Sequence, residues 1–220
     1  MSLSILALAF LLWTSIAMAP AFATTCDSAA EAAARRHEIP IRLLKALARV
    51  ETGRTIKGHF QPWPWAVNLE GRGSWFPSRA AAFAFLHAAQ SQGQRNFDVG
   101  CFQINNLWHG AAFGGIDDML DPSQNADYAA RFLKSLYEET GSWDTAIGHF
   151  HSRTPEKAAQ YKTRFDLVYA KLPADIDMVQ QSQRLTFFDS GGSVTGGSLV
   201  PLSSRGMRFF TSAQPLFGSQ

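Results

Sequence analysis

The sequence predicts a mainly α domain, and three observations carry that expectation. Apolar residues recur at helical spacing in several separate segments between residues 26 and 172. Those segments are bracketed by residues that start and stop helices, such as Asp121-Pro122-Ser123 before one and Gly141 after it. No segment shows the sustained apolar–polar alternation of a half-buried strand, so nothing reads as a convincing sheet.

In chain order, the first 23 residues carry no charged side chain, and Ile5 to Ile16 is an apolar run broken by Thr14 and Ser15. Ala21-Phe22-Ala23 follows as a small-x-small cleavage site, so residues 1–23 are expected to be a secretory signal peptide. The competing reading is a membrane anchor, which needs about 20 apolar residues, more than this run offers. Ser28 with Glu31 matches a capping box for an Ala-rich helix that ends near Pro40. A second helix is expected from Pro40 to Thr52, stopped by Gly53. Residues 60–76 hold Pro62, Pro64, Gly71 and Gly73, which exclude a long helix and predict a loop rich in Trp63, Trp65, Trp75 and Phe76. Such aromatic rings either pack in a core or offer platforms for sugar faces. Residues 79–92 read as a helix, and 96–105 as a turn leading into an extended segment. Further helices are expected at 124–140, 143–150 and from Thr154-Pro155 to about Lys171.

From Ala174 to Gln220 the composition moves to Ser, Gly and Gln, with no Trp, and Asp175, Asp177 and Asp189 balance Arg184, Arg205 and Arg208. Residues 174–220 are therefore expected to be a disordered tail. Its apolar clusters, such as Leu185-Thr186-Phe187-Phe188 and Phe209-Phe210, read equally as docking motifs or as tolerated linker residues.

At 220 residues, the chain has room for one domain or two small ones. A net charge of +2 is too small for an electrostatic nucleic-acid binder. Two cysteines exclude a disulfide-dense scaffold and a Cys-rich zinc site. In an oxidising compartment Cys26 and Cys101 are expected to pair, with two buried free thiols as the alternative. No cofactor or metal is expected.

One carboxylate stands out. Ile41, Leu44, Leu47 and Ala48 form an apolar stripe, and Glu51 is its next member at i+3/i+4 spacing. Arg42, Lys45 and Arg49 take the other faces. Burial raises a carboxyl pKa, and so does the negative end of a helix, which suits a general acid. The alternative is a Glu at a frayed helix end pointing to water. Gln103 and Asn105, two apart in the extended segment, would face one way as polar recognition groups, or would merely cap turns.

Four ordered segments then resemble the soluble lytic transglycosylase (SLT) family, a goose-type lysozyme-like domain: LLKALARVETGR, PWPWAVNLEGRGSWF (like an alphaproteobacterial subgroup), DVGCFQIN and AIGHFHS. The resemblance spans residues 24–173 and implies a single catalytic domain. It implies cleavage of the bond between N-acetylmuramic acid and N-acetylglucosamine in peptidoglycan, leaving a 1,6-anhydromuramic end. By that resemblance Glu51 is acid and then base, and Gln103, Asn105, Phe102, Phe150 and His151 contact substrate. The disulfide would pin the Gln103 segment to the first helix. The departure is Phe150, where the family has a Tyr whose hydroxyl orients the catalytic Glu. No clear second carboxylate is legible; Glu70 and Asp98 are the candidates near motifs. A periplasmic monomer follows, with no stable membrane insertion and the glycan strand as its partner. The tail is a candidate address for a flagellar or secretion machine that needs local wall opening. Two rivals stand beside this reading: a hydrolytic muramidase, and a weakly active peptidoglycan-binding adaptor motivated by Phe150.

Overall fold

The computed structural model describes residues 21–174 and Ile176. The rest of the expected leader and tail lies outside the described residues. Of the expected tail, Ala174 and Ile176 are described, and Ile176 packs against the core.

The described chain is mainly α, with a small β part. Helices α1 (Ala21–Arg36) and α2 (Ile41–Thr52) are followed by strands β1 (Arg54–Ile56), β2 (His59–Gln61), β3 (Ala66–Leu69) and β4 (Arg72–Trp75). Helix α3 (Arg79–Ser91), strands β5 (Phe97–Val99) and β6 (Ile104–Asn105), and short helices α4 (Asn106–His109) and α5 (Ile116–Leu120) come next. Helices α6 (Pro122–Thr140), α7 (Trp143–His151) and α8 (Pro155–Tyr169) complete it. Among the described residues no helix is long and apolar enough to cross a membrane.

Two local expectations are corrected. The capping box at Ser28 does not form, because α1 already includes Ala21. Ser28 Oγ instead donates to the Thr25 carbonyl, and Glu31 pairs with Arg35 and Lys45. Residues 60–76 are not a loop but hold strands of two antiparallel sheets, β1-β2 and β4-β3-β5-β6. Both hairpins turn on two residues with positive φ, Lys57-Gly58 and Glu70-Gly71, the backbone twist that matches paired strands. Strands of two to four residues are too short for alternation to register. Gly53 follows the last residue of α2, as expected, with φ −60° and its N–H on the Arg49 carbonyl. Glycine is needed there because a Cβ would lie 2.2 Å from the Arg49 carbonyl and 2.3 Å from the Phe60 ring.

The core is centred on α1, α2 and α6. Ala29, Ala30, Ala33 and Ala34 of α1 are buried, as are Ala126, Ala129, Ala130 and Leu133 of α6. Small residues let these backbones approach closely. The charged faces of α2 are not solvated. Arg49 holds both oxygens of Asp27, Lys45 reaches Glu31, and Arg42 donates to the Tyr169 and Leu172 carbonyls. The Cys26–Cys101 disulfide is present, joining α1 to the loop between β5 and β6 across 5.8 Å between Cα atoms. Buried Asn125 of α6 braces that loop from the other side. It accepts from the Phe102 N–H and donates to the Val99 and Met119 carbonyls. Gly100 (φ +80°) permits the approach, since a Cβ there would meet Asn125 Nδ2 at 2.7 Å.

Candidate active site

A cleft of about 560 Å³ runs between the helices and the four-stranded sheet. Glu51, Phe150, His151, Tyr161 and Arg164 line its helical side. Asn68, Trp75, Asp98, Gln103, Asn105 and Trp108 line the sheet side.

Glu51 reaches the cleft from the last turn of α2, whose other members Leu44, Leu47 and Ala48 are fully buried. The residue keeps some exposure, but its carboxyl is closely surrounded by protein. Burial pushes the carboxyl up to about 7, although the Tyr161 hydroxyl bond opposes the rise; the negative charge of Asp98 adds to it, and Arg164 works against it. Tyr161 Oη donates to Glu51 Oε1. Burial and the adjacent Glu51 hold that phenol well above its usual range, so it stays a donor. With one oxygen engaged, Glu51 presents the other as a proton carrier.

Tyr161 is the residue that sequence reasoning missed. Phe150 packs on Phe132 at 5.4 Å between ring centroids, within an aromatic wall that continues to His109. The hydroxyl that Phe150 lacks comes from α8 instead. The departure at Phe150 from the resembled family raises the question of another hydroxyl, but no spacing says that Tyr161 rather than Tyr169 reaches Glu51. His151 stacks on the Tyr161 ring at 4.6 Å, nearly parallel. Burial, with help from Arg164 and Lys157, lowers the His151 imidazole, which is therefore neutral near pH 7.

The sheet side differs from expectation in three places. Phe102 does not contact the cleft; it is 0% exposed and belongs to the core. Asn105 lines the cleft, yet its side chain is fully engaged. Its oxygen accepts from the Leu107 and Trp108 N–H groups as the cap of α4, and its amide donates to Asn96 and Asp98. The turn-capping reading therefore holds for Asn105, not that of a free recognition group. Gln103 is left-handed (φ +46°) rather than extended, so the two side chains do not share an extended strand face. Its amide donates to the Ala66 and Gly100 carbonyls, which leaves its acceptor oxygen for a donor in the cleft.

Asp98 enters the same cleft from β5, where amide groups of Asn68 and Asn105 donate to its two oxygens. Glu70 is exposed in the β3–β4 turn and does not line the cleft, although its neighbour Gly71 does. Of the aromatic residues of 60–76, Trp63 is buried with its indole N–H on the Phe76 carbonyl, whereas Trp75 is 48% exposed and lines the cleft. Trp108, 77% exposed on α4, is a second exposed ring at the cleft that the sequence reading had not singled out. β4 and β6 are the two edges of the sheet; Trp75 lies on β4 and Trp108 on α4, which directly follows β6.

Beside Glu51, Thr52 joins three segments: its hydroxyl lies within hydrogen-bond reach of the Ala48 and Cys101 carbonyls and accepts from the Trp63 N–H. The disulfide loop, the Trp63 segment and α2 thus meet one residue from the carboxyl. Compared with family models, curated proteins and solved structures, the chain matches none.

Proposed function

We propose that this chain is an exported, periplasmic peptidoglycan lytic transglycosylase with a lysozyme-like, SLT-type catalytic domain. The observation that carries the reading is Glu51, a carboxyl raised to about 7 by burial and hydrogen-bonded to Tyr161 at an open cleft. A group half protonated near neutral pH can give a proton and take one back.

The chemistry needs no second acid. Glu51 donates its proton to the glycosidic oxygen between N-acetylmuramic acid and N-acetylglucosamine, and the bond from that oxygen to C1 breaks. The resulting carboxylate removes the proton of the C6 hydroxyl, whose oxygen closes on C1 as the 1,6-anhydro ring. No water is consumed, and Glu51 ends protonated as it began. Tyr161 fixes the carboxyl during both transfers. The Gln103 oxygen is placed to accept from the sugar, and Trp75 and Trp108 offer stacking faces at the cleft.

Asp98 favours a second reading, a hydrolytic muramidase, because a second carboxylate in the cleft can activate water. The binding-adaptor reading loses its motive, since Tyr161 supplies the hydroxyl absent at Phe150. Recruitment to a flagellar or secretion machine would rest on the tail, outside the described residues.

The test is product analysis on purified sacculi. The transglycosylase reading expects anhydro ends, one water lighter than hydrolysed ones, and loss of release in Glu51→Gln. Hydrolysed ends would favour the muramidase, and undiminished release by Glu51→Gln would overturn both.

A further inference from the structure

Resting on the reading that a glycan strand occupies the cleft, we propose that a side pocket at its α8 end is a subsite for a carboxylate carried as a branch on that strand. The pocket is an open depression of about 460 Å³ between exposed side chains, His151, Lys157, Gln160, Thr163 and Arg164. His151 and Arg164 line the main cleft too, so the two spaces meet there. Lys157, Gln160, Tyr161 and Arg164 recur at i, i+3, i+4 and i+7 and share one face of α8. Tyr161, one turn along α8 from Lys157, holds Glu51, so the same helix carries the depression and the residue that fixes the carboxyl.

The charge pattern selects the ligand. None of the five lining residues is acidic. Nearby cations are spoken for: Lys162 pairs with Asp144 and Asp166, and Arg153 with Glu139. Lys157 and Arg164 form no ion pair among the described residues. Arg164 lies over the Tyr161 ring, 5.4 Å from its centre, which leaves the guanidinium fork open. Two unpaired cations with an amide and a hydroxyl beside them fit a planar, doubly accepting anion. On peptidoglycan a carboxylate comes from two sources: the peptide branch, or the lactyl group of a muramic acid whose peptide has been removed.

The experiment measures binding of the exported chain carrying Glu51→Gln, so that turnover does not interfere. Three soluble ligands are compared: peptide-bearing glycan strands, amidase-stripped strands that keep only the lactyl carboxylate, and N-acetylglucosamine oligomers with no carboxylate. Carboxylate-bearing strands are expected to bind about fivefold more tightly than the oligomers, the upper range for exposed ion pairs. The advantage should shrink as salt is raised, vanish in Lys157→Glu and persist in Lys157→Arg. The difference between the first two ligands identifies which carboxylate is held. Equal affinity for all three, or an advantage unchanged in Lys157→Glu, overturns the subsite. Selective binding without strand cleavage by wild-type protein overturns the transglycosylase reading and keeps the subsite. No binding of any strand overturns both.

Discussion

The two walls of the cleft hold the same functional group in opposite surroundings. On the helical wall, Glu51 continues a fully buried apolar stripe and meets one phenol, and lost hydration drives its carboxyl up to about 7. On the sheet wall, Asp98 receives amide hydrogens on both oxygens and is fixed as an acceptor. Under the proposed transglycosylase reading the difference separates two roles: the dehydrated carboxyl would move the proton, and the amide-bound one would shape the field around it. Three positive side chains of α2 pair backwards with α1 or with backbone carbonyls near α8, so none of them reaches round to neutralise Glu51.

The largest effect that would break this contrast is Glu51→Gln, expected to lower product release from sacculi about 10³-fold, the scale of a lost general acid. The same variant has a thermodynamic signature. The folded carboxyl keeps its proton up to about pH 7, while an unfolded Glu loses it near 4.5. Folding stability therefore falls as pH rises between those values, by about 3 kcal/mol. Glu51→Gln should remove that loss, so its stability advantage grows from pH 4.5 to pH 7; denaturant titrations at both ends check it, and an advantage independent of pH refutes the buried-acid picture.

Next in size is the clamp behind the helical wall. Removing both Cys26 and Cys101 opens a connection spanning 75 residues, which costs about 4 kcal/mol, or roughly 10 °C in melting temperature for a domain of this size. Differential scanning calorimetry with and without reductant measures it.

Two smaller substitutions sharpen the comparison by moving the same pKa in opposite directions. Tyr161→Phe removes a bond that lowers the Glu51 pKa, so the alkaline limb of the pH–rate profile should move up while the rate at pH 6 falls about tenfold. Asp98→Asn removes a charge that raises it, so the alkaline limb should move down, with a few-fold change in rate. Limbs moving the same way would show that the walls do not act independently on Glu51. The smallest effect is expected at Trp108→Ala: a severalfold rise in KM, the scale of one lost stacking contact, with no change in melting temperature because the ring is mostly exposed.

Much of the helical wall was legible beforehand. The stripe from Ile41 to Glu51 is a local property of one helix, so its spacing alone placed the carboxyl on the buried side. The disulfide followed from having only two cysteines in a chain whose leader reads as an export signal. The sheet wall was not legible. Its strands are shorter than the alternation that would reveal them, and Asn105 looked like a recognition group until its four hydrogen bonds were accounted for. Phe102 was misplaced for a related reason: the turn at Gly100 and the left-handed Gln103 reverse which side chains face the cleft.

The sequence by itself determined the longer helices, the side of α2 that carries Glu51 and the pairing of Cys26 with Cys101, because periodicity and cysteine count act within one segment or need no geometry; the short helices α4 and α5 left no such signal. Only the tertiary structure decided which hydroxyl reaches Glu51, that Asp98 shares its cleft, and that Lys157 and Arg164 face a pocket without acids. Those facts join residues far apart in the chain, and their partners are set by how α8 and the sheet pack across α2, which no local pattern encodes.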